Sequence, residues 1–393
     1  MSTPTVGDRL QSVRKRRGLT QRELAEASGV SVSLIRQLEQ GVRDDTCLET
    51  ARKLAVALQV RTSELIVRPD ADDADAVTVE HWAQVRRALE RLPEDQPSEP
   101  PTVEGIDGVL LREAVPLYRE TRWKELALIF PTLLRDADVL ADETPEARSL
   151  RFRLFYMVGT VLTQTRQYRA AELALQRALD SATGRLESAA VVNTMAWLLI
   201  RQGRLAETRE LATRWADDIE PRMSRATLDD LAAWGMLLIR ISTSAVRDNR
   251  PGEAEDTMRY ARTAAVAMGH EYAPHADYLR TFGPTTWHFK RAENLMITDR
   301  PDRVIAMAGH EPRSTQQVTA SNRNRHRLDV ANAHVRLRQY PEAFQILQDI
   351  RRDNPEWLPH QRYARDVMGR IVDRRRTLTP EMRDLSDFIG LPY

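Results

Sequence analysis

Residues 18–43 read GLTQRELAEASGVSVSLIRQLEQGVR, and the breaker residues inside this stretch divide it into two short helices joined by a tight turn. Gly18 supplies a left-handed residue to close a preceding helix, and Thr20 with Glu23 three positions on forms a capping box that opens the next. Leu24 and Ala25 face inward on that helix, the small Ala25 allowing a second helix to cross closely, and Gly29 gives the turn its backbone freedom. The second helix starts at Ser31. Ile35 and Leu38 lie on its inner face, which leaves Val32, Ser33, Arg36 and Gln37 pointing outward as candidate readers of base edges.

The flanks complete a small domain. Upstream, Leu10 and Val13 share a face and Arg14 to Arg17 form a basic run. Downstream, Leu48, Leu54, Ala55 and Leu58 make an amphipathic fourth helix, and Thr62 to Ile66 begins a short fifth. The expected unit is a five-helix domain over residues 1–68.

Through GLTQRELAEASGVS, the Ile35-x-x-Leu38-Glu39-x-Gly41 run and ARKLAVAL, residues 7 to 66 resemble the Cro/repressor-type (XRE) helix-turn-helix family. The resemblance implies binding to double-stranded DNA, with Ser31, Val32, Ser33, Arg36 and Gln37 at the major groove, Gln21 and Arg43 at backbone phosphates, and Arg14 paired with Glu39. The chain departs from the family where a proline usually follows Arg43; here Asp44-Asp45-Thr46 lengthens the link to the fourth helix.

Charge supports the same polarity. The net charge of the 393 residues is +1, yet residues 1–68 carry 12 basic and 8 acidic side chains, whereas residues 69–107 carry 3 and 11. The basic end is the DNA-reading end. Arginine outnumbers lysine 54 to 4, which lowers the information in any one arginine cluster, so Arg323-Asn324-Arg325-His326-Arg327 and Arg374-Arg375-Arg376 are expected to be solvated helix faces. No apolar run approaches the ~20 residues of a membrane helix, and the single cysteine, Cys47, excludes an intramolecular disulfide framework; a cytoplasmic chain, at the nucleoid when bound to DNA, is expected.

Residues 69–102 read as a linker. Asp70 to Asp75 is acidic without apolar periodicity, and Pro93 to Pro101 (PEDQPSEPP) excludes helix and strand. Between them lies a helix over about 77–92, whose stripe of Trp82, Val85, Leu89 and Leu92 docks on a neighbour or pairs with its copy in a dimer.

From residue 103 to 393 only amphipathic helices recur, with related turn strings RWKELA, QYRAAELA, GRLAETREL, RPGEAEDT, RPDRVIAMA and QYPEAFQIL. Taking Trp123, Tyr168, Leu205, Pro251, Pro301 and Tyr340 as equivalent points, the spacings are 45, 37, 46, 50 and 39 residues. Helix pairs of this kind stack into a superhelix with a concave side. The strings resemble degenerate tetratricopeptide (TPR) repeats, and Phe282-Gly283-Pro284-Thr285 with Trp287 to Leu295 is similar to a segment of actinobacterial regulators that join the two modules. A similar architecture in peptide-pheromone receptors implies a peptide or small-molecule effector.

The fold expectation is therefore all-α: a Cro/repressor-like head followed by a TPR-like α-superhelix. Candidate effector contacts are Asn193, Trp197, Trp234, Trp287, Arg291, Asn294 and Asn332, as aromatics, amides and an arginine along first helices of the pairs. No phosphate-binding glycine loop, nucleophile elbow or metal-ligand spacing occurs, so neither enzyme activity, cofactor nor metal is expected. A homodimer on a near-palindromic operator is expected, because one head has too few base contacts for high specificity. The alternative is a scaffold for a protein partner, with the head as a tether.

Overall fold

The structure, a computed structural model, describes residues 5–43, 46–66, 81–90, 101–140, 144–312 and 318–391. These are helical apart from turns and one isolated antiparallel bridge, Tyr272 to Phe282. None of the described helices is long and apolar enough to cross a membrane.

The head contains α1 (Val6–Arg16), α2 (Gln21–Ser28), α3 (Val32–Glu39), α4 (Leu48–Leu58) and α5 (Thr62–Leu65). Leu10, Val13, Leu24, Ile35, Leu38, Leu54, Leu58 and Leu65 converge in one core. Helix α1 crosses α3 with backbone almost in contact: a Cβ on Gly7 would lie 1.9 Å from the Leu38 carbonyl oxygen. Only glycine fits there.

Helix α6 (Ala83–Glu90) follows. Trp82, Val85 and Leu89 are buried in the core that also holds Leu126, Phe130, Ala171 and Leu175, and Arg86 Nη1 donates to Gln167 Oε1 at 2.6 Å. The stripe expected to dock or to pair with a copy is thus consumed within the chain. Leu92, the acidic stretch Asp70 to Asp75 and all but the last residue of PEDQPSEPP lie outside the described residues.

Helix α7 (Val103–Val109) runs through a π-helical turn into α8 (Val115–Arg119), and α9 (Trp123–Val139) returns along it. Five helix pairs then follow in order. They are α10 (Pro145–Gln164) with α11 (Tyr168–Ser181), α12 (Arg185–Arg201) with α13 (Leu205–Asp218), α14 (Leu228–Arg247) with α15 (Pro251–Met268), α16 (Pro284–Ile297) with α17 (Pro301–Ala308), and α18 (Ala320–Arg336) with α19 (Tyr340–Asp353). Helices α20 (Arg362–Val372) and α21 (Pro380–Phe388) end the chain's helical part. Within the array the first helix of each pair also packs on the first helix of the next, from α10 through α12, α14, α16 and α18 to α20. These first helices accordingly bury more than one face.

One turn recurs six times. Thr121, Arg166, Gly203, Asn249, Asp299 and Arg338 are all left-handed, with φ between 56° and 73°. In each case the next residue's N–H reaches back five positions, as in Arg122 to Leu117 (2.9 Å), Arg204 to Leu199 (2.9 Å) and Gln339 to His334 (2.8 Å), and the following residue opens the second helix. This is the 6→1 bond of a Schellman turn. The openers are Trp123, Tyr168, Leu205, Pro251, Pro301 and Tyr340, the points taken as equivalent in the sequence.

The 50-residue spacing between Pro251 and Pro301 arises from an excursion, residues 270–283, between α15 and α16. Its return is anchored by Phe282, which fills the space a Cβ on Gly235 would need (2.2 Å from Cζ), and by Gly283, whose Cβ would lie 2.5 Å from the His270 carbonyl oxygen. The fully buried Glu271 carboxylate caps α16, accepting from Thr285 N (3.0 Å), Thr286 N (3.2 Å) and Thr281 Oγ1 (2.9 Å). The Phe282-Gly283-Pro284-Thr285 motif is the footing of this excursion.

The array also meets itself. Thr121 Oγ1 lies 3.4 Å from Asn354 Oδ1, Glu356 Oε2 accepts from Lys124 N at 3.1 Å, and Trp357 and Leu358 belong to the same core as Tyr118 and Trp123. The Arg323–Arg327 run corrects the expectation of a solvated face: Asn324 and His326 are buried, His326 stacks on Phe289 at 4.2 Å, and Arg325 lies over the Tyr363 ring at 4.4 Å. Helix α18 has neighbours on several sides, so Asn324, His326 and Asp329 are buried rather than hydrated.

Candidate functional site

The DNA-reading face is built by caps. Thr20 Oγ1 accepts from Glu23 N at 3.2 Å while Glu23 Oε2 accepts from Thr20 N at 2.7 Å, and Gly29 ends α2 at φ 67°. Ser31 then caps α3, its Oγ accepting from Leu34 N at 3.2 Å. This fixes α3 with Ile35 and Leu38 buried, Ser33 and Arg36 exposed, and Val32 and Gln37 half-buried. Arg43 is exposed just beyond α3. The Arg14–Glu39 pair is bidentate, at 2.6 and 2.7 Å, and Gln21 Nε2 donates to Glu39 Oε2 at 2.8 Å. The carboxylate therefore orients both the start of α2 and the end of α3; Arg14, first of all through its bond to Glu39, is held above its ordinary pKa. Asp44 and Asp45 lie outside the described residues.

The opposite side of the head is docked. Thr62 Oγ1 donates to Arg247 O (2.8 Å), Ser63 N to Asp248 Oδ1 (2.8 Å), Asn249 Nδ2 to Val60 O (3.3 Å) and Arg52 Nε to Val246 O (3.1 Å). Asp248 is itself fixed by Arg209 Nη1 at 2.7 Å. One turn before Arg52 on α4, Glu49 meets Arg336 Nη2 at 2.6 Å, Arg370 Nη2 at 2.8 Å and Lys53 Nζ at 3.0 Å. Although partial burial opposes ionisation, these cations hold the Glu49 carboxyl down at about 2. Nothing in the sequence marks this cluster, since Glu49 and its two arginines are 287 and 321 residues apart.

Between the docked head and the first helices lies a cavity of about 1030 Å³. Thr46, Cys47, Glu49, Arg52 and Lys53 stand on its head side, and residues of α10, α12, α14, α16, α18 and α20 form most of the rest. Of the seven candidate effector contacts, Trp197 and Asn332 stand on its wall. The other five do not reach it. Asn193 is buried behind it with Oδ1 accepting from Arg240 Nε at 2.8 Å, and Asn294 is buried with Nδ2 donating to Ser242 Oγ at 2.8 Å. Trp234 is packed in the α12–α15 core, Trp287 Nε1 donates to Met258 O at 3.0 Å, and Arg291 pairs with Glu255. Helical phase explains the difference, because a first helix buries several faces and only one of them borders the cavity.

Arginines that composition had devalued form the cavity's polar end. Arg240 and Arg280 are 6% and 7% exposed, and both guanidinium carbons lie within 6 Å of the Trp197 ring centre, at 5.9 and 5.8 Å. Arg280 comes from the excursion. It donates to the Tyr156 hydroxyl oxygen and lies 3.4 Å from Asp277, while Tyr156 donates to Asp277 Oδ1 at 2.6 Å. Burial, and then the adjacent Arg280 charge, push Arg240 down to about 9.

The helix-turn-helix family model matches residues 10–65, covering the α1–α5 core. The match covers the head alone: it shows a helix-turn-helix domain of the XRE type, which implies binding to double-stranded DNA and points to a DNA-binding transcriptional regulator. Neither the curated proteins nor the solved structures gave a match.

Proposed function

We propose that the chain is a sequence-specific regulator whose helical array, a degenerate TPR-like superhelix, senses a small molecule or peptide and holds two copies together on a near-palindromic operator. The observation that carries this reading is the position of the head: one side of α4 forms a wall of the cavity, while α3 faces away with Arg36 exposed. Whatever fills the cavity touches the head directly. A ligand preferring one head position over another changes operator affinity by its differential affinity, and a coupling of ~1–3 kcal/mol corresponds to roughly 5- to 150-fold.

Dimerisation rests on a separate argument. An eight-residue recognition helix reads few base pairs, and two heads one helical turn apart span ~34 Å. With α6 packed inside its own chain, the contacts between copies belong to other surfaces of the array. The test is to incubate purified full-length chain with genomic fragments, sequence those retained, and weigh the protein by light scattering. A repeated half-site with inverted symmetry and twice the chain mass are expected. Fragments without a shared sequence would refute operator recognition and leave the tethered scaffold as the better account; a monomer that binds DNA singly would refute the dimer.

A further inference from the structure

We infer that the cavity end formed by Arg240, Arg280 and Trp197 is a carboxylate-binding subsite, and that the effector is an acid whose apolar or aromatic part lies against the Trp197 ring. The inference deepens the sensor reading and rests on it.

The argument starts from unmet hydrogen-bonding capacity. Buried polar groups are almost always paired, and a buried charge without a counter-charge is costly. Four such groups line the cavity, with Thr243 one helical turn from Arg240 and Thr160 one turn from Tyr156. Arg280 Nη2 has no partner, nor do the hydroxyls of Thr160 and Thr243, although these residues are 7%, 1% and 4% exposed and all line the cavity. Arg240 donates through Nε to Asn193 alone and makes no ion pair among the described residues. Its fork is oriented from behind by an amide and left without an anion in front.

The local charge balance has the same sign. Six cations, Arg201, Arg240, Arg247, Arg280, Lys290 and Arg325, stand against three carboxylates, Asp277, Glu293 and Asp329. Glu293 is taken by Arg247 and Lys290, Asp329 lies beside Arg325, and Asp277 is shared by Arg280 and Tyr156. None of the three neutralises Arg240. Two planar guanidinium groups with two hydroxyl donors suit the oxygens of a carboxylate, because charge-assisted bonds to a fork are the strong, directional kind. The Trp197 ring, within 6 Å of both, offers the apolar surface next to the anion. The cavity's volume admits either a small aromatic acid or the C-terminal residues of a peptide.

Two probe pairs separate these sources: indole-3-acetate against indole-3-acetamide, and a mixed-sequence pentapeptide library with free against amidated C-terminus. Binding to the full-length chain is followed by calorimetry for the single compounds and by saturation-transfer NMR for the library. In at least one pair the acid is expected to bind roughly tenfold to hundredfold tighter than its amide, with Arg240→Gln or Arg280→Gln removing that preference. Which pair shows it identifies the source. Equal binding of acid and amide in both pairs, or an acid preference untouched by both substitutions, would overturn the proposal.

A second readout needs no ligand. Replacing a structural, paired arginine lowers the unfolding temperature, whereas relieving an uncompensated buried cation leaves it unchanged or raises it. Arg240→Gln is therefore expected to keep or raise the thermal midpoint of the free chain; a fall of several degrees would assign Arg240 to structure and overturn the proposal. Arginine-dependent acid binding that leaves operator affinity unaltered would support the subsite and count against the sensor reading alone.

Discussion

Glu49→Gln tests whether the head is clamped to the array by charge. The substitution keeps the shape of the side chain and removes its charge from among Arg336, Arg370 and Lys53. Depression of the carboxyl from 4.5 to about 2 would correspond to ~3 kcal/mol at 1.36 kcal/mol per pKa unit. The Glu49 side chain is 37% exposed, so solvent and salt screening reduce the expected cost of the substitution to about 1–2 kcal/mol. The docked-to-undocked ratio should then fall roughly 5- to 30-fold. The Ser63 amide reports it, because its hydrogen bond to Asp248 exists only while the head is docked. In hydrogen exchange, Ser63 should lose protection by that factor while amides within α2 and α3 keep theirs. Because the docked pKa is the lower one, the clamp is complete above 4.5 and is lost as pH falls toward about 2; the difference between wild type and variant should shrink across that window. Unchanged Ser63 exchange would refute the clamp, and equal acceleration throughout the head would show unfolding rather than release.

Gly7→Ala forces a methyl to 1.9 Å from the Leu38 carbonyl and should destabilise the head by at least ~1–3 kcal/mol, seen as earlier loss of α1 and α3 protection on denaturant titration. Arg36→Ala and Gln37→Ala should relax base preference at one position per half-site and cost roughly 1–3 kcal/mol on operator but little on scrambled DNA, measured by fluorescence anisotropy. Glu271→Ala leaves two backbone amides and two threonine hydroxyls of the α16 entry without their acceptor and should lower unfolding free energy by about 2–4 kcal/mol in urea titrations of the full chain.

The parts of this structure that the sequence announces are those whose determinants are local. Thr20, Glu23, Gly29 and Ser31 act within four residues of themselves, so the helix-turn-helix can be read directly from its string. The six array turns are legible in part: their helix openers recur in related strings, whereas the left-handed residue two positions earlier is Thr, Arg, Gly, Asn, Asp or Arg and carries no common signature. The cavity is different. Arg280 reaches it only because an excursion anchored at Phe282 and Glu271 carries it to Tyr156, 124 residues earlier in the chain. In a sequence with so many arginines no signal distinguishes Arg240 or Arg280 from a solvated neighbour. Trp287 and Arg291 were conspicuous by residue type, yet the phase of α16 turns them toward α15.

The geometry of docking restricts how regulation of this head can work. An array that silenced the head by covering its reading surface would have to contact α3, whereas the hydrogen bonds to the array come from Arg52, Val60, Thr62 and Ser63, with Glu49 adding the ion cluster. Exposed Arg36 and Arg43 remain accessible in the docked head. Control under the proposed dimeric reading therefore acts on where each head is held rather than on whether it can touch DNA. A docked head has one fixed position relative to its array, and two such heads have one fixed separation, matching or missing a spacing of one helical turn. An occupied cavity acts on the same contacts, since Glu49 and Arg52 belong at once to the cavity wall and to the docking surface. Linkage then requires reciprocity: if the acid shifts operator affinity by some factor, operator DNA must shift affinity for the acid by the same factor. Indole-3-acetate or the free-carboxylate peptide, whichever binds, titrated calorimetrically with and without operator should show that equality. A factor of one in both titrations would mean that filling the cavity leaves the head where it was, and fixed docking would no longer account for control.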